Sequence, residues 1–523
     1  MLLVNLRPRL LLMTDRVLSA LVATTVLGAA LAFGGEVWWA RPALAFLLTA
    51  LALAWLVRVL LLGRWRLLKS PLSTLGLMAL MLGLIQLTPL PARLAARLAP
   101  RARAAHSLGV LSDRVLTDDP SAALPEPSGE RTPATLDRPA TLRWLAGAAG
   151  CLALFCVAAH FADRLGHALV IWGSIVAAFF INTVFALVQL TVDAGGLYGT
   201  IEPGKGAPWA PSLADALHAP GVSVLRLATE SGRGGTVWAV AQPDPPFLIG
   251  SLMGGPGAYL ALGALALPLA LGLTLQALAP RGSREGTWTR LRNSGQAGLV
   301  LFLYVLVLAG SGVVGLVAGP WLALPFALGL LLAGLPAARA SGLRWNAVAL
   351  TLGVLLILGL GVTLGNSRGH PPGSSPLTTP ATLDEARQTW IDSARILADF
   401  PILGSGMGSF QAVFPYYKGR DLTSNTAQSS LLQWGVEGGA AALILTALGG
   451  LWCLIRLPGA IRRVGTADRA LPFALIGSAM CFITFSTLHW SIELAAVALA
   501  ASALAGTWNR WLAGGTDLFL ART

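Results

Sequence analysis

The chain has 523 residues, of which 55% are hydrophobic and 12% charged, and its formal net charge is +13. A soluble fold normally carries about a quarter charged residues, so a water-soluble domain is excluded and an all-α integral membrane protein is expected. The basic excess lies in short segments between apolar runs, where it meets anionic lipid headgroups. Nucleic-acid binding is not expected.

In chain order, runs long enough to cross a bilayer, about 20 residues each, are read at 17–34, 42–62, 71–91, 143–161, 168–192, 257–279, 296–317, 320–337, 345–364, 437–455, 470–488 and 491–507. These make about twelve transmembrane helices in one polytopic domain, 1–523. The first run has no small-residue cleavage site leading into a soluble domain and is read as a retained helix. Alternate gaps hold Arg7, Arg9 and Arg16; Arg64, Arg66 and Lys69; Arg281, Arg284, Arg290 and Arg292; Arg339 and Arg344; and Arg456, Arg462, Arg463 and Arg469. Basic short loops stay cytoplasmic. Both termini are therefore expected inside, and three long loops, 92–142, 193–256 and 365–436, outside.

Cys151, Cys156, Cys453 and Cys481 fall within apolar runs, without disulfide or metal-ligand spacing. No internal repeat is visible, which disfavours transporter folds built from duplicated halves.

The first outward loop contains "DDPSAALPEPSGERTPATLDRP", too polar to bury a core and expected to be mobile. The second, rich in Gly and Pro, carries Arg226 and Arg233, either anion ligands or solvated surface arginines. In the third, Thr382 and Glu385 fit a capping box, predicting a helix from about residue 383. On that helix Asp384, Arg387, Ile391, Ala394, Arg395 and Ala398 share one face.

Arg387 and Arg395 then stand about 12 Å apart along the axis. Two readings are open. The guanidinium forks clamp a diphosphate, or they are absorbed in the ion pairs Asp384–Arg387, Asp392–Arg395 and Arg395–Asp399 at i,i+3 or i,i+4. Pro401 then ends the helix, and Gly404, Gly406 and Gly408 form a tight, pre-shaped structural turn. The turn lacks the lysine and strand-turn-helix setting of a nucleotide loop.

"RQTWIDSARILADFPILGSGMGSFQAVFPYY" followed by "SNTAQSSLLQWGVEGGAAALIL" resembles the O-antigen ligase and O-antigen polymerase superfamily of bacterial inner-membrane glycan transferases. The family shows an arginine, an acidic residue before P-x-x-G-x-G-x-G-x-F, and then H-N-x-x-L-Q-x-x-x-E-x-G. "LAFGGEVWWARP", "IQLTPLP" and "GAYLALGALALPLALGL" agree in outline. Arg387, Gly404, Gly406, Gly408, Phe410, Gln433, Glu437 and Gly439 match the motif positions.

The resemblance implies a metal- and cofactor-independent glycosyltransferase of the bacterial inner membrane. Its donor is a glycan on polyisoprenyl pyrophosphate, its acceptor a lipid or another glycan, and its active face is periplasmic. Arginines would carry the developing diphosphate charge.

This chain departs from the pattern at several polar positions. Gln428 and Ser429 stand for the family's His-Asn, "GSLMGGPGAYL" for an Asn-Arg-Asn-His segment, Ser311-Gly312 for Ser-Arg, and His489 for an aspartate. Gln428 orients a hydroxyl but takes no proton near neutral pH. The catalytic candidates are then Gln428 and Glu437, and the candidate pyrophosphate or substrate ligands are Arg387, which matches the motif, with Arg395, Lys418 and Arg420 as further cations of the same loop. Its alternatives are a non-catalytic glycan-lipid-binding member of the same fold, and a transporter or flippase. His489, beside Trp490 and one turn before Glu493, is either interfacial or catalytic. His160 and His167 flank a turn expected to be cytoplasmic, and His106, His218 and His370 are isolated.

Overall fold

A computed structural model describes residues 2–35, 39–63, 70–99, 101–102, 132–192, 236–237, 240–241, 255–278, 297–340, 344–367, 383–419, 426–464, 470–490 and 494–514. Most of the loops 92–142 and 193–256, Thr382 of the expected capping box, Arg226, Arg233, Arg420, Glu493 and three of the histidines lie outside the described residues.

The helices are α1 (Leu2–Leu31), α2 (Ala40–Leu62), α3 (Pro71–Leu87), α4 (Ala92–Leu98), α5 (Arg138–Phe161), α6 (Leu165–Val192) and α7 (Gly255–Leu278). After them come α8 (Ala297–Ala340), α9 (Arg344–Ser367), α10 (Leu383–Asp399), α11 (Phe410–Val413), α12 (Ser430–Arg463), α13 (Ala470–Leu488) and α14 (Ala495–Leu512). A two-residue ladder pairs Thr236–Val237 with Val240–Ala241. The chain is an all-α, multi-pass membrane protein.

Among the described residues eight helical stretches are long and apolar enough to cross a bilayer, and α3, Pro320–Pro336 and Val348–Leu364 are shorter apolar helices. Each of the twelve runs read from the sequence coincides with helix, but boundaries move: α12 begins at Ser430 and α14 at Ala495. Local chemistry sets several starts. Ser70, Asp137 and Ser429 accept the amides of Leu72, Ala140 and Leu432 at 3.2, 2.9 and 3.3 Å, the N-cap pattern.

The two halves of α8 pack in opposite senses. Val314 lies near Gly263 and Leu267 near Gly310, so the first half is antiparallel to α7. Ser478 donates to the Leu265 carbonyl at 2.7 Å and Ala474 abuts Gly272, so α13 is antiparallel to α7. Phe326 meets Phe485, and Gly329 meets Gly477 and Cys481, so the second half of α8 is antiparallel to α13. The chain therefore turns back near Pro320, a residue that removes a helix hydrogen bond and clashes with the preceding turn.

Side-chain contacts also sort the two ends of the bundle. At one end Arg58 of α2 donates to Asp15 of α1 at 2.7 Å and to Asp163, between α5 and α6, at 2.9 Å. Nδ1 of His167 faces both the Phe161 carbonyl at 3.0 Å and Asp163 Oδ1 at 2.8 Å, so that nitrogen carries the proton. The starts of α1, α3 and α6 and the ends of α2, α5, α12 and α14 share this end, since Ser70 bonds Asn509 and Arg463 reaches the Leu512 carbonyl. The glycine turn sits at the other.

Burial pushes the Asp163 carboxyl up, but its bonds from His167 and Arg58 outweigh this and leave it below the usual carboxylate range. A depressed carboxyl contributes stability that is present above the unfolded value, about pH 4, and is lost as pH falls through the folded one. Asp163→Asn should therefore lower the melting temperature at pH 7. It should also weaken the acid dependence below about pH 4, as read by thermal unfolding of the full chain in detergent.

Candidate functional site

At the glycine-turn end, α12 is broken. Gly439 has φ 63° and ψ −160° inside the helix, which frees carbonyls before the break and amides after it. The turn supplies the partners. Ser405 and Gly406 donate to the carbonyls of Val436 and Glu437 at 2.9 and 3.0 Å, while Ala440 and Ala441 donate to those of Pro401 and Ile402 at 2.7 and 3.3 Å.

This fit requires glycine. Gly404, Gly406, Gly408 and Gly439 have φ 72°, 113°, 77° and 63°. A Cβ on Gly404 would collide with the Glu437 backbone, and one on Gly439 with Ile402.

Gln86, in the last turn of α3, holds the same knot. Its amide donates to the carbonyls of Leu403 and Glu437 at 2.6 and 2.8 Å, and its side-chain oxygen accepts the Met407 amide at 2.9 Å. Its own carbonyl takes the amides of Ala134 and Thr135, and Leu136 donates to Ser405. Gln86, Ser405, Ser409 and Met407 are fully buried. One polar residue in an apolar helix thus ties together α3, the segment before α5, the turn and α12.

Glu437 is also fully buried. Its carboxylate accepts the amides of Gly408 at 2.9 Å and Phe410 at 3.3 Å and the Gln433 side chain at 3.2 Å. A buried carboxylate is tolerable only with such donors. Here they hold the turn and the start of α11.

The helix read from the sequence at about 383 is α10. Ala386, Thr389, Asp392, Ser393 and Ile396 form its buried side. Asp384, Arg387, Ile391, Ala394, Arg395 and Ala398, the face picked out by periodicity, are all exposed. Asp392 accepts from Gln388 at 3.1 Å, Arg395 at 3.0 Å and the Gly419 amide at 3.1 Å. Trp390 donates to the Gln428 carbonyl at 3.1 Å and stands edge-on to Trp321 of α8. Tyr417 donates to Asp399 at 2.7 Å. Burial, and then that carboxylate, push the phenol up to about 12, so it remains a donor at physiological pH.

Of the two readings left open for α10, Arg395 follows the second, since its guanidinium pairs with Asp392 while staying 61% exposed. Arg387 is exposed, and no carboxylate among the described residues pairs with it. Lys418 is exposed close by in sequence, just after the aromatic corner 414–417. Gln428 is buried with φ 53°, the only positive φ outside glycine among the described residues. The structure brings Gly404, Gly406, Gly408 and Glu437 into one bonded unit and leaves Arg387, Arg395 and Lys418 on the surface beside it.

Sequence reasoning passed over Gln86 and named Asp392 only as an ion-pair partner of Arg395. Gln86 announces itself as the only amide side chain in the apolar run 71–91, and Asp392 as the lone acid on the inner face of α10. Among the described residues no group of three or more His, Cys, Asp or Glu is placed to hold a metal ion. Compared with protein-family models and with curated proteins, the chain matches none.

Gln86→Leu keeps the bulk but leaves the Met407 amide and the Leu403 carbonyl buried without partners. Each is expected to cost about 1–3 kcal/mol. Gly404→Ala adds left-handed strain to a backbone collision and should cost roughly 2–5 kcal/mol. Thermal unfolding, with limited proteolysis across 399–410, measures both.

Proposed function

We propose that the chain is an O-antigen-ligase-like membrane glycosyltransferase, moving a glycan from a polyisoprenyl-pyrophosphate donor to a lipid or glycan acceptor in surface polysaccharide assembly. On this reading it lies in a bacterial inner membrane with both termini cytoplasmic and the glycine turn periplasmic. The observation that supports it most is the exposed, cationic face of α10, held at one end of an apolar bundle by the turn docked into the broken α12.

A diphosphate leaving group needs positive charge as its bond to the sugar breaks. Arg387 is the cation best placed to give it, being exposed and carrying no carboxylate partner among the described residues. Arg395 shares its charge with Asp392 and binds more weakly; Lys418 adds an adjacent point charge. Glu437 and the glycines position this surface without touching substrate.

A second reading, a member of the same fold that binds glycan-lipid without transferring it, is favoured by one observation: Gln428 stands at the family's histidine position and the Glu437 carboxylate is already engaged by three donors. Turnover by the purified full chain in a defined lipid mixture separates the two.

Removing one preorganised charge contact in a transfer reaction typically costs about 10²–10³ in rate. Arg387→Ala should therefore abolish detectable glycan transfer in cells at unchanged protein level, while Arg395→Ala should reduce it less. Surface glycan and protein blots of the same cells give both readouts.

A further inference from the structure

Three histidines fall among the described residues, and two of them, His160 and His167, belong to the end of the bundle opposite the glycine turn. The third, His489, ends α13 and is fully buried. Its amide still completes the helix to the Phe485 carbonyl at 2.8 Å, and its ring stacks on Phe485 with centroids 5.2 Å apart. The Ser430 hydroxyl, two residues beyond Gln428, donates to the His489 carbonyl at 3.4 Å. The end of α13 is thereby seated against the strained, polar start of α12.

Two further polar groups gather there. Ser486, one turn before His489 on the same side of the helix, is 8% exposed, and neither its hydroxyl nor the buried indole N–H of Trp490 has a hydrogen-bond partner among the described residues. Buried polar atoms are nearly always paired, so two unpaired ones next to a buried imidazole call for a hydrogen-bonding partner that the described residues do not supply.

We propose that His489 is the general base of the transfer reaction, and that Ser486 and Trp490 complete the acceptor site for a sugar hydroxyl. The inference rests on the glycosyltransferase reading given above. The acceptor O–H gives its proton to an imidazole nitrogen of His489 as the oxygen bonds to the donor's anomeric carbon. The bond from that carbon to the diphosphate oxygen breaks with its electron pair on the polyisoprenyl diphosphate, and the imidazolium then releases its proton to water.

Imidazole is the side chain whose ordinary titration falls between about pH 5 and 8. Of the neighbouring elements, α12 presents Glu437, held by Gly408, Phe410 and Gln433, and α10 carries Asp384, Glu385, Arg387, Asp392, Arg395 and Asp399; residues 320–336 of α8 and 495–509 of α14 carry no charge. The pH profile therefore separates a base from a purely structural histidine.

The test uses the full-length protein in nanodiscs with the polyisoprenyl-diphosphate glycan fraction extracted from its host's membranes as donor and the diphosphate-free glycolipid fraction of the same membranes as the varied acceptor, following release of the lipid diphosphate. Wild-type transfer should rise with pH between about 5 and 8. His489→Gln should lose roughly 100-fold in rate and that rise together, with an unchanged melting temperature. Trp490→Phe with Ser486→Ala should raise KM for the acceptor with little change in kcat.

A wild-type rate and pH profile in His489→Gln overturns the proposal while leaving the transferase reading intact. No release by the wild type overturns both. If His489→Gln does not accumulate, an unchanged KM in the double variant overturns it.

Discussion

The reciprocal bonding between a glycine turn and a broken helix is the constraint on which the rest of this end of the molecule depends. At membrane depth an unpaired amide or carbonyl costs several kcal/mol, so a helix interrupted at Gly439 is tolerable only because Pro401, Ile402, Ser405 and Gly406 take up the groups it frees. The turn in turn has no shape of its own without that partner. Gln86 and Glu437 close the unit from below and from within, using side chains where backbone pairing runs out.

From that unit follows the placement of α10. The turn begins where α10 ends, and Asp392 and Trp390 pin the following segments to its inner side. The outer side is left carrying Arg387 and Arg395 beside the apolar bundle. A lipid-linked diphosphate has the same division, with an apolar tail and a charged head at the bilayer boundary. The division of labour is physical: buried polar groups fix backbone, and in the function proposed the exposed cations meet ligand. Glu437, a catalytic candidate by its position in the motif, has its carboxylate on the amides of Gly408 and Phe410 and on the Gln433 side chain.

Much of this was legible before the fold was known. Apolar length located the helices, because lipid demands about 20 residues per crossing, and 297–340 already reads as two runs, 296–317 and 320–337. The Thr382–Glu385 spacing and the periodicity from 383 placed α10, and the six residues grouped on one face are all exposed. Periodicity has no sign, however: it groups Arg387 with Arg395 but does not say whether that face is covered or open. The ion pair from Arg395 to Asp392 was one of two local alternatives, and only the burial of Asp392 decides it. The break at Gly439 lies inside a stretch whose composition reads as continuous helix, and its partners are more than thirty residues away. The grip of Gln86 on the turn, across more than three hundred residues, has no local signature beyond one amide among aliphatic neighbours.

Hydrogen exchange of the full chain in nanodiscs tests the central claim most directly. If the turn is spliced into α12, the amides of Ser405, Gly406, Met407, Gly408 and Ala440 exchange as slowly as those inside neighbouring helices, despite belonging to a loop and a helix break. Exchange at the rate of an open glycine-rich loop would contradict the docking and the placement of the cationic face that rests on it.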